Sequence, residues 1–154
     1  WKMRSLNYTA RFIELASEIN TNMPRFVIGR VQDALNEHEK PLRGSSVLVL
    51  GVAYKPDIDD LRESPAIDVI HLLQSKGAKV SYHDPYIPPL CVVDCGLDSV
   101  PDLMKRVDEA DCVLIITNHK VYDYGAIHER AKLIVDTRNA LGVLGKHSSK
   151  VVRL

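Results

Sequence analysis

Short apolar runs separated by helical patterns are the feature that most constrains how this chain folds. The runs VLVL, CVLII and LIV begin at Val47, Cys112 and Leu133. A continuous run of this length is typical of a strand that is buried on both faces of its sheet. Because segments with helical spacing lie between the runs, the chain order predicts βαβα units in a parallel sheet with helices on both faces. We therefore expect an α/β, Rossmann-like domain.

The local patterns also give approximate bounds for each element. Strands are predicted at Val47–Leu50, Lys79–His83, Cys112–Thr117 and Leu133–Asp136, with a final edge strand at Lys150–Arg153. Helices are predicted at Ala66–Lys76, Val100–Asp108 and Tyr122–Arg130, and a loop is expected through Pro89. Gly77 stands where a glycine commonly ends a helix.

The amino-terminal segment has helical spacing from Tyr8 to His38, interrupted by the sequence NTNMP that ends at Pro24. A proline removes a donor inside a helix but is tolerated in the first turn, so Thr21 or Asn22 is expected to cap a second helix. Two helices or one kinked helix both fit the pattern. We expect a helical connector over residues 1–42, preceding the α/β domain at residues 43–154.

Composition argues against several function classes. Lysine plus arginine total 20 and aspartate plus glutamate total 20, which argues against a nucleic-acid partner bound by bulk electrostatics. No apolar run approaches the roughly 18 to 20 residues that span a membrane, so no membrane partner is expected. Three cysteines without paired metal spacing favour a reducing, cytoplasmic compartment. A start at Trp1, with neither a methionine nor a secretory signal, indicates a fragment of a longer chain.

The charged segment after the first strand is where we expect the chemistry. It runs from Gly51 to Pro65 and contains Lys55 and Arg62 just before a helix start, which predicts an anion site. Parallel sheets bind ligands at the carboxyl ends of their strands, where Asp84, His119 and Arg138 also fall. A dinucleotide site would need G-x-G-x-x-G at the first turn, but this loop has one glycine. Side-chain cations therefore have to hold any phosphate.

Three stretches of the sequence carry a family resemblance. The loop YKPDIDDLRESP at Tyr54–Pro65 closely resembles the signature of the carboxy-terminal, UDP-binding domain of the UDP-glucose/GDP-mannose dehydrogenases. The segments GAKVSYHDP, ending at Pro85, and VDTRN, ending at Asn139, resemble that domain's second and fourth strand ends. Residues 12–24 resemble the tail of the family's central, dimer-forming helical region. The sequence of this segment is most similar to that of members that oxidise UDP-N-acetylglucosamine or UDP-N-acetylmannosamine.

The resemblance implies a role for each matching residue. Such enzymes oxidise the sugar C6 alcohol to a carboxylate in two NAD-dependent steps, through a thiohemiacetal on a cysteine, in polysaccharide biosynthesis. Tyr54 and Lys55 match positions that contact the UDP-sugar substrate, and Arg138 an arginine that reaches substrate in its own or a neighbouring subunit. Arg62 matches an arginine that reaches NAD. The cysteine and the NAD domain lie ahead of Trp1, so this chain has no catalytic residue and is predicted to be inactive alone.

The resemblance also leaves alternatives open for the whole chain. The full-length protein is expected to be a homo-oligomer. The chain could instead be a freestanding UDP-binding or regulatory module, or an interaction module that dimerises through the Tyr8–His38 helices.

Structural roles compete with functional ones at several charged residues. Lys55 could be a solvated loop lysine, and Arg62 could pair with Asp59 or Asp60. The three loop aspartates, including Asp57, fit a charge-balanced loop better than a metal site.

The histidines and cysteines are likewise weighed against plainer roles. His83 and His119 are interpreted as loop-packing residues. Cys91 and Cys95 lack partner ligands, so no metal is predicted, and Cys112 is expected in the core.

Overall fold

The computed structural model describes residues 10–87, 97 and 99–154. Five strands form one sheet in the order β2-β1-β3-β4-β5, and every neighbouring pair is parallel. The strands are β1 (Ser46–Leu50), β2 (Lys79–His83), β3 (Cys112–Ile115), β4 (Ile134–Asp136) and β5 (Val151–Arg153). The helices are α1 (Arg11–Glu37), α2 (Pro65–Ser75), α3 (Leu103–Glu109) and α4 (Tyr124–Arg130). The end of the predicted loop through Pro89 lies outside the described residues, and so do Cys91 and Cys95.

Alternate residues of β1 face two separate hydrophobic clusters. Val47 and Val49 pack in a cluster with buried residues of α1 and α2, whereas Leu48 and Leu50 pack with buried residues of α3 and α4. Because successive side chains of a strand point to opposite faces, a strand covered on both sides must be apolar throughout. The predicted α/β, Rossmann-like sheet with helices on both faces is confirmed.

Capping side chains, rather than the apolar pattern, determine where α3 and α4 begin. The carboxylate of Asp102 accepts from the amide of Lys105 at 3.0 Å at the start of α3. Asp123 caps α4 in the same way through the amide of Ala126 at 3.0 Å. An N-cap aspartate fixes the first turn because it satisfies an amide that has no partner within the helix. Both helices therefore begin two or three residues later than predicted.

The prediction of a second helix capped by Thr21 or Asn22 is wrong. One 27-residue helix runs through Pro24. Proline removes the hydrogen bond to one carbonyl of the preceding turn, and the residues of that turn are exposed, so water can replace it. The hydroxyl of Thr21 bonds back to the carbonyl of Ser17 at 2.8 Å instead of capping a new helix.

Helix α1 has two unlike halves. Its carboxyl-terminal half is anchored by Ile28, Val31 and Leu35, which are buried in the same cluster as the sheet. Every residue from 11 to 23 is exposed, and an apolar stripe at helical spacing runs along this part. Its members are Phe12, Leu15, Ile19, Met23 and Phe26. The division between residues 1–42 and 43–154 stays a prediction, since half of α1 shares the core of the α/β domain.

Cys112 lies in the core, as predicted. It is fully buried at the start of β3, and burial raises the pKa of its thiol to about 12. Among the described residues, no helix is long and apolar enough to cross a membrane.

Candidate functional site

The strand order places a topological switch point between β1 and β3. The chain leaves β1 toward β2 on one side and returns to β3 on the other. In open parallel sheets, ligands bind beyond the carboxyl ends of the strands at such a point. Residues 51–64 and 116–123 leave the sheet on either side of it. The candidate site is therefore the rim formed by these two loops and the ends of β2 and β4.

The crevice below this rim is filled by the protein itself. Gly51 has a φ of +75°, and a Cβ at this position would lie 2.2 Å from the carbonyl oxygen of Thr117. Only glycine permits this backbone conformation together with so close an approach. The hydroxyl of Thr117 donates to the carbonyl of Ala53 at 2.7 Å and joins the two loops again. A ligand must therefore lie above the crevice, on the rim.

A buried carboxylate holds the beginning of the first loop. Asp84 lies just beyond β2 and is buried. It accepts five hydrogen bonds, which come from the amides of Val52, Ala53, Tyr86 and Ile87 and from Nε2 of His119, at 2.7 to 3.2 Å. The amides after β1 are those that a glycine-rich loop would turn toward a pyrophosphate. Here they are already satisfied by a side chain.

The ionised form of Asp84 is favoured in the fold. Burial is the largest influence and raises its pKa, but hydrogen bonds from His119 and from the amides of Ala53, Tyr86 and Val52 outweigh it. The pKa of Asp84 is therefore lower than that of an ordinary aspartate.

His119 links three segments of the site. It is fully buried, and its Nδ1 accepts from the amide of Asp57 at 2.9 Å. Since Nδ1 uses its lone pair there, the proton of the neutral ring is on Nε2, which donates to Asp84 at 3.0 Å. The rings of Tyr86 and Tyr122 lie 5.0 and 5.7 Å from the imidazole. These contacts support the loop-packing role predicted for His119, whose side chain does not reach solvent.

His83 is half-buried beside the same aromatic group. The phenol of Tyr122 donates to the carbonyl oxygen of His83 at 2.7 Å, so the imidazole Nδ1, 3.1 Å away, donates to the phenol oxygen. Burial lowers the pKa of His83, the charge of Asp84 partly opposes this, and His119 lowers it further. These contacts support the packing role predicted for His83.

Lys55 lies on the exposed part of the first loop. Its Nζ is 5.4 Å from the centre of the Tyr54 ring, a distance at which a cation is attracted to the face of an aromatic ring. Tyr54 is 42% exposed, and its amide donates to the carbonyl of Asp60 at 2.7 Å, which closes the loop on itself. Both predicted substrate-binding side chains of this loop thus face solvent from a fixed backbone.

Arg62 is held by its neighbour Asp60. Its Nε and Nη2 donate to the two carboxylate oxygens at 3.0 and 2.9 Å, and the Arg62 side chain is 88% exposed. The hydrogen bonds from the Arg62 side chain, followed by that from its amide, lower the pKa of Asp60 to about 2. The structure thus shows the ion pair that competes with a role in NAD binding, although one arginine can serve both.

Arg138 follows a second buried aspartate. Asp136, at the end of β4, accepts from the amides of Arg138, Ala140 and Leu141, each at 3.0 Å. The Nε of Arg138 donates to the carbonyl of Ile116 at 2.8 Å. No partner for the two terminal amino groups of its guanidinium is found in the part of the chain that is described, so they can meet a ligand.

The four residues predicted to converge do so only in part. Lys55, Arg62 and Arg138 are exposed at the carboxyl edge, whereas His119 lies beneath them as a support. The sequence pattern placed Asp84 at the carboxyl edge of the sheet without naming its partners, and it assigned Tyr122 no role in the site. The position of Asp84 directly after a strand was the available signal, because that position points at the amides of the neighbouring strand's loop.

Comparison with known proteins identifies relatives of this arrangement. Residues 48–143 match the profile of the UDP-glucose/GDP-mannose dehydrogenase family, UDP binding domain. A UDP-N-acetyl-D-mannosamine dehydrogenase of Campylobacter jejuni is 36% identical over 116 residues, which are 73% of this chain and 28% of that protein. A UDP-glucose 6-dehydrogenase of Rhizobium meliloti is 35% identical over 135 residues, which are 84% of this chain and 30% of that protein.

A solved structure repeats the fold. UDP-D-ManNAc dehydrogenase from Pyrococcus horikoshii superposes with a TM-score of 0.80 at 26% identity, and the match covers 98% of this chain and 34% of that one. The chain spans about a third of the length of the relatives it matches.

Proposed function

This chain belongs to the UDP-glucose/GDP-mannose dehydrogenase family, and from that premise we propose that it holds the UDP portion of a UDP-sugar for oxidation by an NAD-dependent 6-dehydrogenase. The substrate lies across the rim, with Lys55 and Arg138 on its phosphates or sugar oxygens and Tyr54 beside them. The rest of the machinery, with the nucleophilic cysteine and the NAD domain, lies outside residues 1–154.

The observation that carries the proposal is that the backbone amides after β1 already have hydrogen-bond partners, whereas the side-chain cations beside them are exposed. The amides after β1 are bound to Asp84, so they cannot cradle a phosphate. The ammonium of Lys55 and the guanidinium of Arg138 remain accessible above them. A planar guanidinium suits bidentate binding of phosphate, whereas an ammonium acts as a point charge.

Because the amides of the first turn are already bonded to Asp84, we propose that this turn does not hold NAD. A pyrophosphate would have to displace the Asp84 carboxylate, and the turn has one glycine where the dinucleotide fingerprint has three. We propose that Arg62 reaches across to NAD bound elsewhere. Binding energy from the UDP portion would then align the sugar C6 with the cofactor.

Calorimetric titration with UDP tests the proposed site. We expect the chain to bind UDP, and we expect Lys55→Ala and Arg138→Ala each to weaken binding about tenfold or more, since each removes a charge-assisted contact. Arg138→Lys should also weaken binding, because an ammonium keeps the charge but cannot bind phosphate in the bidentate way. Lys79→Ala is the matched control, because Lys79 is exposed at the opposite end of the sheet. Equal affinity in the Arg138 variants and the parent chain would refute the assignment.

Activity measurements separate binding from chemistry. The isolated chain should not reduce NAD in the presence of UDP-sugars, because no nucleophile of the reaction is expected within it. Reduction of NAD by the purified chain would overturn this part of the proposal. The alternative of a freestanding nucleotide-binding or regulatory module shares this binding of UDP and differs in requiring no preceding region for its function.

A second function is favoured by the exposed stripe on α1. Phe12 is 89% exposed, and Leu15, Ile19, Met23 and Phe26 continue the stripe. Contiguous exposed apolar surface marks protein contacts, and we propose that this stripe forms the homo-oligomer contact. Ile19→Glu should lower the mass measured by light scattering, and Ile13→Glu, about 120° from Ile19 around the helix, is the control. Deletion of α1 is unsuitable, because its second half is core.

We further propose that residues 1–42 connect to the preceding region and that the protein works in a reducing, cytoplasmic compartment. The buried thiol of Cys112 is compatible with that location.

A further inference from the structure

We propose that His119 is the positioning residue of the loop at residues 51–64: it fixes the backbone on one side of Lys55 so that the ammonium stands over the bound nucleotide. The inference rests on the proposed function for its consequence, but its geometric content concerns this chain alone.

Lys55 is bracketed by anchored backbone. On its amino-terminal side, the amides of Val52 and Ala53 are bonded to Asp84. On its carboxyl-terminal side, the amide of Asp57 is bonded to His119. Only Tyr54 and Pro56 separate Lys55 from these anchors, so the three bonds together restrict where its Cα lies.

Pro56 restricts the backbone around Lys55 further. The ring fixes the φ angle of Pro56, and it also restricts the residue before it to extended conformations. Lys55 therefore has little backbone freedom as long as the anchor at Asp57 holds. Without that hydrogen bond, His119 no longer holds the backbone on the carboxyl-terminal side of Lys55.

Asp57 and the segment after β3 hold each other by reciprocal bonds. The amide of Asp57 donates to His119, and the amide of Lys120 donates back to the Asp57 carboxylate at 2.9 Å. Asp57 has a φ of +63°, a left-handed conformation that residues other than glycine adopt at a cost. Aspartate adopts this conformation more readily than most residues, and it is held here by these two bonds and by the ammonium of Lys120, 3.8 Å from the Asp57 carboxylate.

The two nitrogens of His119 have different duties, and this makes the role separable from simple packing. Nε2 donates to Asp84, which keeps four other donors without it. Nδ1 is the acceptor that orients Asp57. Loss of the Nδ1 contact should therefore disturb the loop, whereas loss of the Nε2 contact should mainly cost stability.

Two conservative substitutions divide these duties. His119→Asn places an amide oxygen near the position of Nδ1 and removes the donor to Asp84. His119→Gln places an amide nitrogen near the position of Nε2 and removes the acceptor for Asp57. His147→Gln is the matched control, because His147 is exposed.

The first readout needs no ligand. Nitrogen-15 NMR of the imidazole should show Nδ1 unprotonated and Nε2 protonated. Amide exchange at Tyr54, which bonds to Asp60 rather than to His119, should be about three- to tenfold faster in His119→Gln than in His119→Asn. Protonated Nδ1, or equal exchange in the two variants, would overturn the inference.

The second readout is the affinity for UDP. We expect His119→Gln to weaken it about three- to tenfold while His119→Asn stays within about twofold of the parent chain. If both variants lost affinity in parallel with their stability, His119 would be a packing residue only. If the parent chain itself failed to bind UDP, the proposed function would fail, and the exchange measurement would still decide the positioning role.

Discussion

Replacement of Asp84 by asparagine should destabilise the domain strongly, although it changes one atom. One carboxylate oxygen accepts two amide bonds, and the other accepts two amide bonds and the bond from His119. An asparagine has one acceptor oxygen, and its amino group must face one of these sets of donors. The better orientation still leaves two N–H groups without an acceptor. At about 1 to 3 kcal/mol for each unsatisfied group, we expect a loss of roughly 2 to 6 kcal/mol.

Urea denaturation of three asparagine variants measures this loss. Asp136 bonds three amides, split two and one between its oxygens, so Asp136→Asn orphans one amide and should cost about 1 to 3 kcal/mol. Asp33→Asn, at an exposed position of α1, should stay within about 0.5 kcal/mol. The expected order of destabilisation is Asp84, Asp136, Asp33. A loss below about 1 kcal/mol for Asp84→Asn would refute the claim that its carboxylate organises the loop.

Two further predictions follow from the same region. Gly51→Ala should lower the free energy of unfolding, measured by urea denaturation, by at least about 2 kcal/mol, since its Cβ would overlap the Thr117 carbonyl at a positive φ. Gly29→Ala is the control, because nothing lies near the added Cβ. Equal losses in the two variants would contradict the close approach at Gly51. Stability should also fall in two stages on acidification, because lowered pKa values in the fold make proton uptake by the unfolded chain stronger. The His83 contribution should decline below a pH of about 6.5 and that of Asp84 below about 3.9. Denaturation of Asp84→Asn across the same pH range should show a smaller second stage, because Asp60, Asp108 and Asp111 also have lowered pKa values and remain in the variant.

The sheet could be predicted because its strands carry their signal locally. Val47–Leu50 is apolar throughout, and burial against α1 and α2 on one face and α3 and α4 on the other demands that pattern. The helix starts were predicted less well, because Asp102 and Asp123 are polar and lie outside the apolar periodicity that was used to find the helices.

The site could be predicted only as a set of exposed cations. The support of Lys55 depends on contacts between distant residues, such as Asp84 with Val52 and His119 with Asp57, which are 32 and 62 positions apart. No local pattern encodes such a pairing; it follows from the strand order. Pro24 failed as a helix breaker for a related reason, because packing of the second half of α1 outweighs the missing hydrogen bond.

The carboxylate of Asp84 also bears on the state of the loop when no ligand is bound. A loop whose amides cradle a phosphate must find water or a new partner for them each time the nucleotide leaves. Here the domain carries its own permanent anion, so the loop keeps its shape when it is empty. Under the proposed function, departure of the nucleotide exposes only side chains at the surface, and the next nucleotide meets a rim that does not have to be rebuilt.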